Sequence, residues 1–214
     1  MTDPILIALL TEDRGHEAFL KALISKIALE FDFSPQSLLI APRSVRGGNA
    51  KVLAELKEFV DDIVYCKQTL PDLIVAATDS NCVGFNTRCK EMQACVELIR
   101  DRVVFAVPDP HVERWMLLDS HAFKTVFGVS CQPPDNKCDK DRYKSLLADA
   151  FAKTNIMPLH NGFEFSENII GAMDLDNIND PSLNRLINDL KSKFRIWKKT
   201  LLLPLPLPCN SPNA

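Results

Sequence analysis

The stretch ILIALLTEDRGHEAFLKALISKIALEF, residues 5–31, decides the fold. Ile5 to Leu10 form a continuous apolar run bounded by Pro4 and the polar TEDRG, the pattern of a strand buried on both faces of a parallel sheet. From His16 to Phe31 the apolar residues Phe19, Leu20, Leu23, Ile24, Ile27 and Ala28 recur at three- and four-residue spacing, which predicts an amphipathic helix. The rest of the first half of the chain repeats this order. After FDFSP, SLLIAP reads as a second strand, and RSVRGGNAK is a basic, glycine-bearing loop before a helix over Ala50–Val60. DLIVAAT, residues 72–78, is a third strand, and the polar turn DSNCVGFN leads into a helix over Thr87–Leu98. Val103–Val107 is a fourth, after which PDPHVERWMLLD breaks at its prolines and restarts as a helix carrying Val112, Trp115, Met116 and Asp119.

Strands alternating with helices predict an α/β domain with a mostly parallel sheet covered on both faces. Its bounds are residues 1–129. From about Ser130 a polar linker, CQPPDNKCDKDR, introduces a helical C-terminal portion, residues 130–200, with helices near Tyr143–Thr154 and Ser182–Trp197. The end, residues 201–214, alternates Leu and Pro and suits an extended, polyproline-like tail that either binds a partner groove or stays disordered.

Composition narrows the classes. A chain of 214 residues with 46% hydrophobic and 25% charged residues has a globular balance and enough apolar surface for one sizeable core. The net charge of −3 excludes the simplest nucleic-acid signature, a strongly basic domain. No apolar run reaches the ~20 residues of a membrane span, and the first residues lack a secretory signal, so the expectation is a soluble, cytoplasmic protein with no membrane partner. The cysteines at 66, 82, 89, 95, 131, 138 and 209 never form CxxC knuckles, which argues against structural zinc. Reduced, mostly buried thiols are expected.

In an open α/β sheet, ligands gather at the carboxyl ends of the strands. Those ends are acidic here: Glu12 and Asp13 after the first strand, Asp79 after the third, Asp109 after the fourth, then Glu113 in the next helix. Crowded carboxylates repel, so they need raised pKa values or a divalent cation, and oxygen ligands select magnesium, manganese or calcium. Magnesium held by carboxylates and substrate phosphates suits phosphodiester chemistry. Each acid alone reads first as a helix cap or a solvated loop residue, and it is their joint placement that points to a site.

The residues TEDRGHEAFL, RGGNAKVLAEL, LIVAATDSN and VPDPHVERWMLLD together resemble the Toprim fold of topoisomerases, primases and overcoming-lysogenization-defect nucleases. More narrowly they look like a small Toprim-like family of bacterial defence islands, often encoded beside an ATPase. The resemblance covers residues 5 to 125, and more weakly NIMPLHNGFEFSENIIGAMDLD. It implies Glu12 as acid/base or metal ligand, Asp79 as metal ligand, and Glu113 as the further acid, with Asp109 as the alternative donor. The second acid of the paired motif is replaced by Asn81, a neutral and weaker ligand, which puts two-metal catalysis in doubt. The implied function is a Mg2+- or Mn2+-dependent nuclease-like protein in defence against phage or plasmids, with nucleic acid and an ATPase as partners and homo-oligomerisation open. The alternative is a non-catalytic Toprim-like binding or regulatory module. A nucleotide-binding or phosphatase-like domain ranks last, because TEDRG places acids where a phosphate-binding turn needs donors.

Arg43, Arg46 and Lys51 flank Gly47 and Gly48 and are candidates for phosphate or nucleic-acid contact, against a solvated loop whose glycines serve the turn. His16 and His111 are candidates for supporting the site, against surface positions. Trp115 reads as core. Lys191, Lys193, Arg195, Lys198 and Lys199, with Trp197 among them, read as a solvated helix face before a nucleic-acid contact.

Overall fold

A computed structural model describes residues 4–45, 47–65, 67–132, 134–139 and 141–202. Arg46, Cys66, Cys209 and the Leu/Pro-rich end from residue 203 lie outside the described residues. β1 (Ile5–Thr11), β2 (Leu38–Ser44), β3 (Leu73–Ala77) and β4 (Val103–Ala106) form one sheet of order β2-β1-β3-β4, parallel throughout. The α/β expectation holds.

Side chains of β1 alternate between the faces as a period of two demands: Ile7 and Leu9 enter one apolar cluster, Ala8 and Leu10 the other. On the first face lies α1 (Arg14–Glu30), burying Phe19, Leu20, Leu23, Ile24 and Ile27. On the second lie α2 (Asn49–Val64), through Leu56, Phe59, Val60 and Ile63, and α3 (Phe85–Ala94), through Met92. The α3 helix is shorter than its sequence reading, since Cys95 caps it and a 3-10 turn over Glu97–Arg102 delivers the chain to β4.

α4 (Val112–Met116) and α5 (Ser120–Phe127) stand where one helix is expected. The break is a capping effect. The Asp119 carboxylate accepts from the N–H groups of His121 and Ala122, both at 2.9 Å, and so starts a new helix. Then come α6 (Arg142–Ala152), α7 (Ser166–Ala172) and α8 (Pro181–Leu202). Leu147, Ile169, Ile170, Leu186, Leu190 and Phe194 of these helices enter the same cluster as α1. Trp115 is fully buried, as its sequence setting implies, with its indole N–H on Ser182 Oγ.

The basic stretch of α8 turns inward as well as outward. Lys191 pairs with Glu30 and Asp176, each at 2.9 Å, and Lys198 with Asp32 at 2.6 Å, while Lys193 donates to the Asp101 carbonyl. Among the described residues no helix is long and apolar enough to cross a membrane.

Candidate functional site

The register aligns Thr11 with Ser44 and with Ala77, and Ala77 with Ala106, so all four strands end in one row. β1 and β3 are neighbours whose chains leave in opposite directions, one through α1 to β2 and the other through α3 to β4. Such a switch point opens a crevice beyond the strand ends, and Glu12 and Asp79 are the acids that border it.

Glu12 is oriented by β3: Thr78 Oγ1 donates to its Oε2 at 2.6 Å and the Asp79 N–H at 3.3 Å. Asp79 is held more tightly. Its Oδ1 accepts from His16 Nε2 and from the Val112 N–H, both at 3.0 Å, and its Oδ2 from His111 Nδ1 at 3.0 Å. His16 Nδ1 donates in turn to Asp13 at 2.9 Å, and Asp13 also caps α1 through the His16 N–H. The order Asp13, His16, Asp79, His111 is therefore one hydrogen-bonded chain across the crevice.

Charges follow from this chain. Burial disfavours a charged His16, yet the Asp79 charge and the bonds to Asp13 and Asp79 override it and raise the pKa to about 10. Burial works against ionised Asp79 too, but His16 and His111 hold its carboxyl below the ordinary range. Asp13 likewise falls to about 2, burial being outweighed by its bond and charge interaction with His16. The bond to Asp79, against burial, raises the His111 pKa. Glu113 shifts the other way: burial raises its pKa, and the nearby Asp79 charge adds to the effect. It is only 5% exposed, and its one hydrogen-bond donor among the described residues is its own backbone.

A cavity of about 240 Å³ unites these groups. Glu12, Asp79, Asn81, His111 and Glu113 line it from the sheet side, and Asp141, Tyr143 and Lys144 from the start of α6. Ligand atoms of Glu12, His16 and Asp79 lie within 4.8 Å of one another, close enough for one metal ion. Both nitrogens of His16 are taken by Asp13 and Asp79, so it serves as a holder of carboxylates, and oxygens are left as the donors. Glu12 and Asp79 are thus the oxygen donors of the group that could hold a metal ion, and Glu113 lines the same cavity.

Several sequence candidates are placed differently. His16 is 1% exposed and no surface histidine. Asp109 lies outside the cavity lining, its Oδ1 accepting from Ser80 Oγ at 2.7 Å, so it braces the turn after β3. Asn81 does line the cavity, with a left-handed φ of 48° and its N–H bonded to the Pro110 carbonyl at 3.1 Å. Arg43 is engaged elsewhere: it donates to Gln68 Oε1 at 2.7 Å and lies 4.4 Å from the centre of the Phe59 ring. Lys51 packs along Gly47, and neither cation lines the cavity. The expectation of reduced thiols fails at Cys82 and Cys138, which form a disulfide because the turn after Asp79 and the linker before α6 meet with their Cα atoms 5.6 Å apart.

Asp141, Tyr143 and Lys144 escaped the sequence reading. Nothing in CDKDRYKSLL marks them, because only the packing of α6 against α4 brings them to Asp79. Compared with family models, curated proteins and solved structures, the chain matches none.

Proposed function

We propose that this chain is a divalent-cation-dependent, nuclease-like protein that cleaves or nicks phosphodiester bonds. The observation that carries the reading is the convergence of Glu12, Asp79 and the buried Glu113 on one small cavity at the switch point of the sheet. Magnesium or manganese would be held by Glu12, Asp79 and Glu113 with the Asn81 amide beside them, and supplies polarisation of a phosphoryl oxygen. Glu12 Oε2 is anchored by Thr78, which leaves Oε1 to accept a proton from an attacking hydroxyl or water. His16 and His111 fix the Asp79 carboxylate in orientation, and Lys144 adds a positive charge at the rim.

The test is Mn2+ titration calorimetry together with nicking of supercoiled DNA and cleavage of RNA. Wild type binds Mn2+ and cleaves; Glu12→Gln keeps the fold and loses cleavage, and Glu113→Gln keeps the fold and loses both Mn2+ binding and cleavage. Absence of Mn2+ binding by the wild type would sink the reading.

A non-catalytic binding module is the second reading, favoured by the saturation of Asp79. Both its oxygens already accept bonds, and the neighbouring ligand position is the neutral Asn81. Asn81→Asp separates the two: a weakened enzyme gains cleavage, whereas a scaffold cleaves in neither form. The role in defence and the ATPase partner are proposed from the resemblance, and co-purification of the chain with the product of an adjacent ATPase gene tests them.

A further inference from the structure

Cys82 and Cys138 join the two walls of the acidic cavity. Cys82 follows Asn81 in the 3-10 turn Asn81–Val83, and that turn is pinned to the β4 side by the Ser80 N–H on the Pro108 carbonyl at 2.9 Å. Cys138 lies in the linker that ends at Asp141, the cap of α6 and itself a wall residue. Both cysteines are exposed. The stretch before Cys138 has its own anchor: the Tyr143 hydroxyl accepts from the Lys137 N–H at 2.7 Å and donates to the Lys137 carbonyl at 2.7 Å. Between Lys137 and the body of α6, by contrast, the disulfide is the covalent tie to the Asp79 turn.

We infer that Cys82–Cys138 is a site of thiol–disulfide exchange that regulates the cation-binding cavity: the oxidised form ties the wall that Asp141 begins to the pinned turn that carries Asn81, and reduction by a dithiol releases that wall. This rests on the proposed cation site. An exposed disulfide is open to attack, unlike a buried structural one. A thiolate of the dithiol attacks one sulfur, forming a mixed disulfide and releasing the other cysteine as a thiolate that takes up a proton. The second thiol of the dithiol then displaces the remaining cysteine and closes as a cyclic disulfide. Two electrons and two protons pass to the protein, and the dithiol is oxidised. The Asn81 turn keeps its backbone bonds to Pro108 and Pro110, whereas the loosened linker would let Asp141 draw back from the cavity, so cation affinity falls while Glu12, Asp79 and Glu113 stay in place.

The experiment compares the full chain untreated, treated with dithiothreitol, and as Cys138→Ser. Peptide mapping of the untreated protein recovers Cys82 linked to Cys138; recovery of both as free thiols overturns the proposal. Hydrogen exchange then reads the walls without any cation. Reduction is expected to speed exchange at residues 138–139 and 141–142 and leave β1 and β3 protected, and unchanged exchange at those linker residues overturns the latch whatever the cation does. Mn2+ titration completes the test. Severalfold weaker binding after reduction, reproduced by Cys138→Ser, supports the proposal. Equal binding in both forms overturns it and leaves the cation site standing, and no binding in either form removes the cation site and the proposal with it.

Discussion

Both carboxylate oxygens of Asp79 are held within the protein, and this alters what its replacement does. From the sequence, removing one of several crowded acids relieves repulsion and costs no stability. In the structure Asp79→Ala leaves the 1%-exposed His16 paired with Asp13 alone and its Nε2 without its acceptor, and losing a buried, charge-assisted bond costs about 1–3 kcal/mol. Denaturant unfolding of Asp79→Ala checks this, and an unchanged midpoint would contradict the hydrogen-bonded chain. His16 gives the matching pH dependence. Its pKa rises from an ordinary 6.5 to about 10 on folding, so its stabilisation is complete below the lower value and lost as pH rises through the upper one. Without added cation, stability should decline from pH 6.5 to about 10, and His16→Asn should flatten that slope. Glu113→Gln acts oppositely. It removes a carboxylate that burial and Asp79 both disfavour, and should raise Tm by about 2–4 °C, the shift that ~1 kcal/mol gives in a chain of this size.

At the scale of elements, short polar links set the geometry. Asp119 caps α5 with one oxygen, and with the other accepts from the Asp174 N–H at 3.0 Å, tying the segment after α7 to the α4–α5 corner. Asp119→Ala removes both and should cost about 1–2 kcal/mol in thermal unfolding. The disulfide acts on a longer loop. Its cysteines are 56 residues apart, and a cross-link of that span constrains the unfolded chain by about 4 kcal/mol in the loop-entropy account. Reduced protein should therefore unfold at markedly lower denaturant concentration while its helical circular dichroism stays unchanged before the transition. The strands and α1 were readable as elements because continuous apolar runs and 3.6-residue periodicity are local signals. The α4–α5 break was not, since a cap within an apolar stretch looks like helix continuation until its bonds are seen.

For the whole molecule, α8 and α1 share one core, with Phe194 stacked on Phe31 and edge-on to Phe33. Phe194→Ala should cost about 3–5 kcal/mol and destabilise sheet and C-terminal helices together in a single transition. Alternating apolar runs and amphipathic segments were enough to establish a parallel α/β sheet and to place Glu12 and Asp79 at its carboxyl edge, because strand polarity and the polar residue after each run are properties of neighbours in the chain. The burial of His16, the exclusion of Asp109, the wall formed by Tyr143 and Lys144, and the joining of Cys82 to Cys138 depended on the folded molecule. Each is a contact between residues far apart in sequence, or an orientation set by such a contact. Its energy comes from packing that no local pattern encodes.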